Sequence, residues 1–260
     1  MAKLQAFSTG YGTVWAHPLR TCVGWVMMMT LIVVAVVSGA LMLGAAWGLY
    51  APLGKKTEGF LVALAGGALL LSVTSELIEP SIERSSLWIA AGGVLAGAGV
   101  FTLADWLVKE KMGGGSGGGL LAAITLDGIP ENLALGVALI GAGPMEVAAL
   151  AGSILLSNLP EAAGGAKEMR SDGRSRGRVF LLWASTALIL SLAAIAGNLL
   201  LEGASEHLLA VIRCFAAGAV IASLAVEVFP QAFREDDYWA GIATAIGAVL
   251  AFALGSLGGG

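Results

Sequence analysis

Residues Val179–Leu201 read VFLLWASTALILSLAAIAGNLLL, 23 positions without one charged side chain. A helix rises about 1.5 Å per residue, so about 20 apolar residues cross the ~30 Å hydrocarbon core of a bilayer. This run therefore predicts a membrane span, with Ser191 and Asn198 as polar contacts between helices. Seven further segments share its character: 22–50, 58–78, 87–108, 120–141, 145–166, 207–229 and 238–257. The expected fold is all-α, a polytopic membrane protein of eight transmembrane helices.

Composition agrees over the whole length. Only 12% of the 260 residues are charged and 57% are hydrophobic, with a mean hydropathy of +0.86. Soluble domains are roughly 25% charged. Half that density cannot cover a water-soluble body, so the lipid bilayer is the expected partner. The net charge of -4 comes without a basic patch, which argues against nucleic acid. Cys22 and Cys214 read as small buried hydrophobes rather than a disulfide framework.

Aromatic and basic residues orient the spans. Trp25, Trp47, Trp88, Trp106, Trp183 and Trp239 fall near predicted helix ends, where an indole N–H stays in the wet interface. The 55–57, 109–119, 167–178 and 230–237 loops hold ten Lys and Arg, against four on the other side. By the positive-inside rule these loops are cytoplasmic, and an even span count puts both termini outside. Residues 1–21 are then an extracytoplasmic tail without a cleavable signal, and 22–260 form one transmembrane domain. Within it, 112–119 (Met-Gly-Gly-Gly-Ser-Gly-Gly-Gly) reads as a flexible cytoplasmic linker. Gly44-x3-Gly48 and Gly93-x3-Gly97 place small residues on one helix face, where backbones can approach closely.

The functional signal is an internal echo. Leu126-Asp127-Gly128-Ile129-Pro130-Glu131-Asn132 in the fourth span matches Leu156-Ser157-Asn158-Leu159-Pro160-Glu161-Ala162 in the fifth, thirty residues on. Residues i and i+4 stack on one helix face. Asp127 therefore shares a face with Glu131, and Ser157 with Glu161. Each proline removes a backbone donor and loosens the carbonyl four residues back, that of Leu126 or Leu156. The short connection makes the two helices antiparallel neighbours. Asp127 and Glu161 then lie roughly 10 Å from the cytoplasmic ends, and Glu131 and Ser157 about 15 Å. Three carboxylates thus meet near the membrane middle. Each costs about 2.5–3.5 kcal/mol there if uncompensated, and like charges add repulsion. A divalent cation held by oxygen ligands removes both penalties. Protonated or paired carboxyls beside kinking prolines, or a metal-free proton relay, are the competing readings.

Other acids lie nearer the membrane surfaces. Glu76 and Glu79 precede Pro80 toward the outer face, and Glu227 precedes Pro230 toward the inner face. Glu76 and Glu227 are either mouth ligands or solvated interfacial residues. Asp105, beside Trp106, is expected at the interface. No His-Glu-x-x-His, P-loop or catalytic nucleophile appears, so no enzyme and no organic cofactor is expected.

At the two Pro-Glu motifs the chain resembles the ZIP (zinc/iron permease) family of divalent-metal transporters. That family carries His-Asn-x-Pro-Glu-Gly in its fourth span and His/Gln-x-x-Pro-Glu-Gly in its fifth. The resemblance implies uptake of a divalent metal into the cytoplasm, in a bacterium through the inner membrane. It implies Asp127, Glu131 and Glu161 as metal ligands, with Ser157 and Asn158 as weaker or second-site ligands. Glu76, Glu227 and Asn132 are the corresponding pathway residues. The chain departs from the family pattern: Asp127, Gly128, Asn132 and Ser157 replace His, Asn, Gly and His or Gln. An all-oxygen site shifts preference from zinc toward harder ions such as Mn²⁺, with Zn, Mn, Fe and Cd as candidate cargoes. A proton or monovalent-cation carrier, and a homologue that binds metal without moving it, are the alternatives. A homodimer is the assembly considered.

Overall fold

The computed structural model describes residues 18–51, 53–112, 117–140 and 147–258. The tail before Pro18, residues 113–116 of the linker and the connection at 141–146 lie outside them. Among the described residues the chain is helical throughout, with no strand. Eight long helices follow one another: α1 Pro18–Tyr50, α2 Lys55–Arg84, α3 Leu87–Met112, α4 Gly117–Ala138, α5 Ala148–Ser171, α6 Arg176–Leu200, α7 Glu206–Glu235 and α8 Ala240–Gly258. Five of them (α1, α2, α3, α6 and α7) are long and apolar enough to cross a membrane. The chain is thus a polytopic, membrane-embedded helical protein.

Several boundaries move, each for a local reason. Pro18 opens α1, as a first-turn proline can, because its missing N–H would have no partner there. Ser175 and Ser205 cap α6 and α7, their hydroxyls accepting from the N–H of Arg178 and Leu208. The linker is shorter than expected, since Met112 ends α3 and Gly117–Gly119 open α4. The basic 167–178 loop is corrected too, because α5 continues to Ser171 and carries Lys167 within it.

The prolines at 80 and 230 do not end their helices. A π-turn precedes each, Thr74–Ile78 in α2 and Leu224–Val228 in α7. The N–H of Glu79 reaches back five residues to Thr74, and that of Phe229 to Leu224. The wider turn passes the proline ring without a break, and such turns concentrate at functional sites.

Packing follows an exchange pattern. α1 lies on α5 as α6 lies on α4; α2 packs on α8 as α7 packs on α3; α2 also meets α5, and α7 meets α4. Exchanging α1 with α6, α2 with α7, α3 with α8 and α5 with α4 leaves this pattern unchanged. α2 and α7 run antiparallel, because Lys55 at the start of α2 pairs with Glu235 at the end of α7, and Arg84 with Glu206 at the opposite ends. The two halves are therefore inverted relative to each other. Glycines seal the matching contacts. A Cβ on Gly67 or Gly247 would collide with backbone across the α2–α8 seam, as would one on Gly97 or Gly218 across α3–α7. Gly44 and Gly48 of α1 meet the backbone of α5 in the same way.

The outward faces are apolar, with Leu43, Leu95, Leu103, Leu181, Leu192, Val249 and Phe252 more than half exposed. This is the surface that lipid, not water, solvates. Trp88, Trp106 and Trp239 are exposed near helix ends, as expected. Trp183 is not. It is fully buried against α5, where the absence of a side chain at Gly165 admits its ring. Inside the bundle, hydroxyls join helices in pairs: Ser38 with Ser191 at 2.6 Å and Ser72 with Ser153 at 2.8 Å. Asn198 donates to the Gly136 carbonyl of α4 at 3.2 Å.

Candidate cation site

α5 is packed by α1, α2, α4, α6 and α8. Its polar residues are tolerated because other helices, rather than lipid, surround them. Between α2, α4, α5 and α7 lies a cavity of about 820 Å³. Its deep end is formed by Asp127 and Glu131 of α4, Ser157 and Glu161 of α5, and Ser223 and Glu227 of α7. The i, i+4 stacking read from each motif thus turns both polar faces into one chamber. Gly164 and Gly165 of α5 also line it, and a larger residue at Gly164 would strike the Glu58 carboxylate.

The cavity opens on one side. It reaches the surface at Lys55, Glu168 and Arg234, all exposed and all on the side of the basic loops. Beyond the deep end, fully buried Val73, Leu77, Leu135, Leu150, Ile154 and Leu224 pack into one apolar cluster. That cluster closes the other half of the bundle.

Polar partners are unevenly distributed at the deep end. Glu131 is buried. The Asp127 carboxyl hydrogen-bonds that of Glu227 with one oxygen. Its Oδ1 is buried with no hydrogen-bond partner among the described residues. Glu227 also accepts an ion pair from Lys109 of α3 at 2.8 Å, and the same Nζ lies 2.8 Å from Asp105. Asp105, expected at the interface, is therefore an interior residue, only 6% exposed. It is held there by its own lysine one turn on. Glu227 is likewise a member of the central chamber rather than a separate mouth residue. The four acids nearest the chamber do not form a closed cage. Among the described residues, no three His, Cys, Asp or Glu side chains meet closely enough to hold a metal ion.

The remaining residues singled out from sequence lie elsewhere. Asn158 does not line the cavity; it is buried and donates to the Val37 carbonyl of α1 at 3.1 Å. Asn132 is also buried and donates to the Gly128 carbonyl at 2.9 Å, within its own helix. It thereby occupies an acceptor on the turn that Pro130 disturbs. Glu76 faces α8 near Gly255, away from the chamber, and Glu79 is exposed. Two features escaped the sequence reading. Glu58, at the start of α2, is buried at the cavity mouth and pairs with Lys167 of α5 at 3.4 Å. Lys167 also donates to the Leu53 carbonyl at 2.9 Å. The other is the Asp105–Lys109 pair, whose i, i+4 spacing was the available signal.

No protein-family model and no curated protein matches the chain.

Proposed function

We propose that the chain is a transporter of divalent cations, built on the plan of the ZIP family that its Pro-Glu motifs resemble. One observation carries this reading. Two helices bearing the same motif turn Asp127, Glu131, Ser157 and Glu161 into one cavity that is open on one side and sealed by hydrocarbon on the other. Buried carboxyl oxygens facing such a space are costly unless a cation visits them. The orphaned Asp127 Oδ1 is the clearest of them. Inverted halves meeting around a central site are a common plan for carriers that alternate access.

In this reading all eight helices cross the membrane, both termini lie outside, and the cavity faces the cytoplasm of a bacterial cell. The wall becomes a binding site when its side chains rotate inward around an ion. Oxygen donors alone favour Mn²⁺ and comparable ions over a nitrogen- or sulfur-selected Zn²⁺. The hydrogen bond between Asp127 and Glu227 supports a second reading, a proton carrier, because two carboxyls bond only by sharing a proton.

Uptake into proteoliposomes separates the two. Transport of Mn²⁺, Zn²⁺, Fe²⁺ or Cd²⁺ is expected. Glu131→Ala and Glu161→Ala should each lower it about tenfold or more, equivalent to ~1.4 kcal/mol or more of ion binding. Uptake of none of these ions, with wild type equal to Glu131→Ala, would sink the metal reading. Internal acidification without metal would favour the proton carrier.

A further inference from the structure

Lys109 stands out as a cation already in place. Its Nζ sits between two carboxylates from different helices, 2.8 Å from Asp105 Oδ2 and 2.8 Å from Glu227 Oε1. Glu227 in turn hydrogen-bonds Asp127 of the Pro-Glu motif. A chain of ionisable groups therefore runs from α3 through α7 to the cavity wall on α4. The ammonium is the group in that chain whose charge balances the acids. Asp105 and Glu227 are both mostly buried, with side chains 9% and 19% exposed. Stripped of the lysine, they would be two adjacent carboxylates in a space of low dielectric, with Asp127 beside them.

We infer that the Lys109 ammonium is a tethered stand-in for a second divalent ion, filling the position between Asp105 and Glu227 so that the chamber takes one metal ion rather than two. The inference rests on the cation-transport reading above. It adds an occupancy to that reading and assigns a residue that sets it. An ammonium on a flexible four-carbon stem suits this role, because it is a compact point charge that can withdraw. Its side chain is 46% exposed, so the stem has room to leave toward the open side. A divalent ion at the same place would find carboxylate oxygens from Asp105 and Glu227, the two groups that now hold the ammonium. Hard divalent cations take such ligands and complete their shells with water.

The experiment is a count of bound Cd²⁺ per chain by equilibrium dialysis of the purified full-length protein in detergent. Wild type is expected to bind one ion, and Lys109→Gln two. Lys109→Arg, which keeps the charge, should stay at one. Adding Asp105→Asn to Lys109→Gln should return the count to one, which places the gained ion. Lys109→Met, which keeps most of the aliphatic stem, runs in parallel so that poor folding of one variant leaves the other to decide. A Lys109→Gln or Lys109→Met protein that elutes as wild type yet binds no additional ion overturns the inference. If wild type binds none while the neutral variants bind one, the lysine's role stands and the motif site fails. The two readings are thereby told apart.

Discussion

The two π-turns occupy exchanged places in inverted halves of the bundle, yet their fourth residues face different surroundings. In α7 the turn Leu224–Val228 brings Glu227 and Val228 to the cavity wall. In α2 the turn Thr74–Ile78 holds Leu77, fully buried, in the apolar cluster. Glu227 and Leu77 are both fourth in their turns, and both turns lead to proline six residues after they begin. The backbone device is thus shared, while the side chain at its fourth position differs, an acid on the cavity wall in α7 and a leucine in the apolar cluster in α2. The dry side is held by well-packed hydrocarbon, whose burial is worth roughly 25 cal/mol per Å².

Thiol labelling gives the largest contrast between these halves. In a Cys22→Ala, Cys214→Ala background, Val228→Cys should react with a membrane-impermeant maleimide offered from the side of the basic loops. Leu77→Cys should remain unlabelled over the same time. Equal labelling would remove the distinction between wet and dry halves.

The glycine seams should respond alike despite that distinction. Gly67→Ala and Gly218→Ala each force a methyl group into opposing backbone. Each should cost about 1–3 kcal/mol, the usual penalty for overpacking, read as a loss of thermal stability in detergent. A large effect at one seam with none at the other would show that the halves are not mechanically equivalent. The smallest effect belongs to the exposed end. Arg84 and Glu206 pair at 3.4 Å with both side chains more than half exposed. Arg84→Ala should change stability by less than about 1 kcal/mol, with unchanged uptake.

The spans and the site were not equally legible in the sequence. Uncharged runs such as Val179–Leu201 mark helices because hydrocarbon length is a hard constraint. The i, i+4 placement of Asp127 with Glu131 and Ser157 with Glu161 follows from helix geometry alone, and the cavity receives all four. Partners across helices are another matter. Nothing local tells Asn158 to bond α1 or Lys109 to reach α7, since both depend on how distant segments pack. Trp183 shows the same limit. Its distance from a helix end suggested an interface, but Gly165, eighteen residues earlier, made room for it inside. The segments 58–78 and 207–229 stop short of Pro80 and Pro230, because a π-turn leaves no mark in composition.

The pairing of α2 with α8 also has a temporal side. α2 is complete at Arg84, whereas its glycine-sealed partner begins at Ala240, with 155 residues between them. At about 5–20 residues per second of synthesis, that is a wait of roughly 8–30 s. During that interval the Gly67 face of α2 has no helix to meet. It must be shielded by lipid or by the insertion machinery until α8 arrives. α8 is therefore the clasp that completes α2.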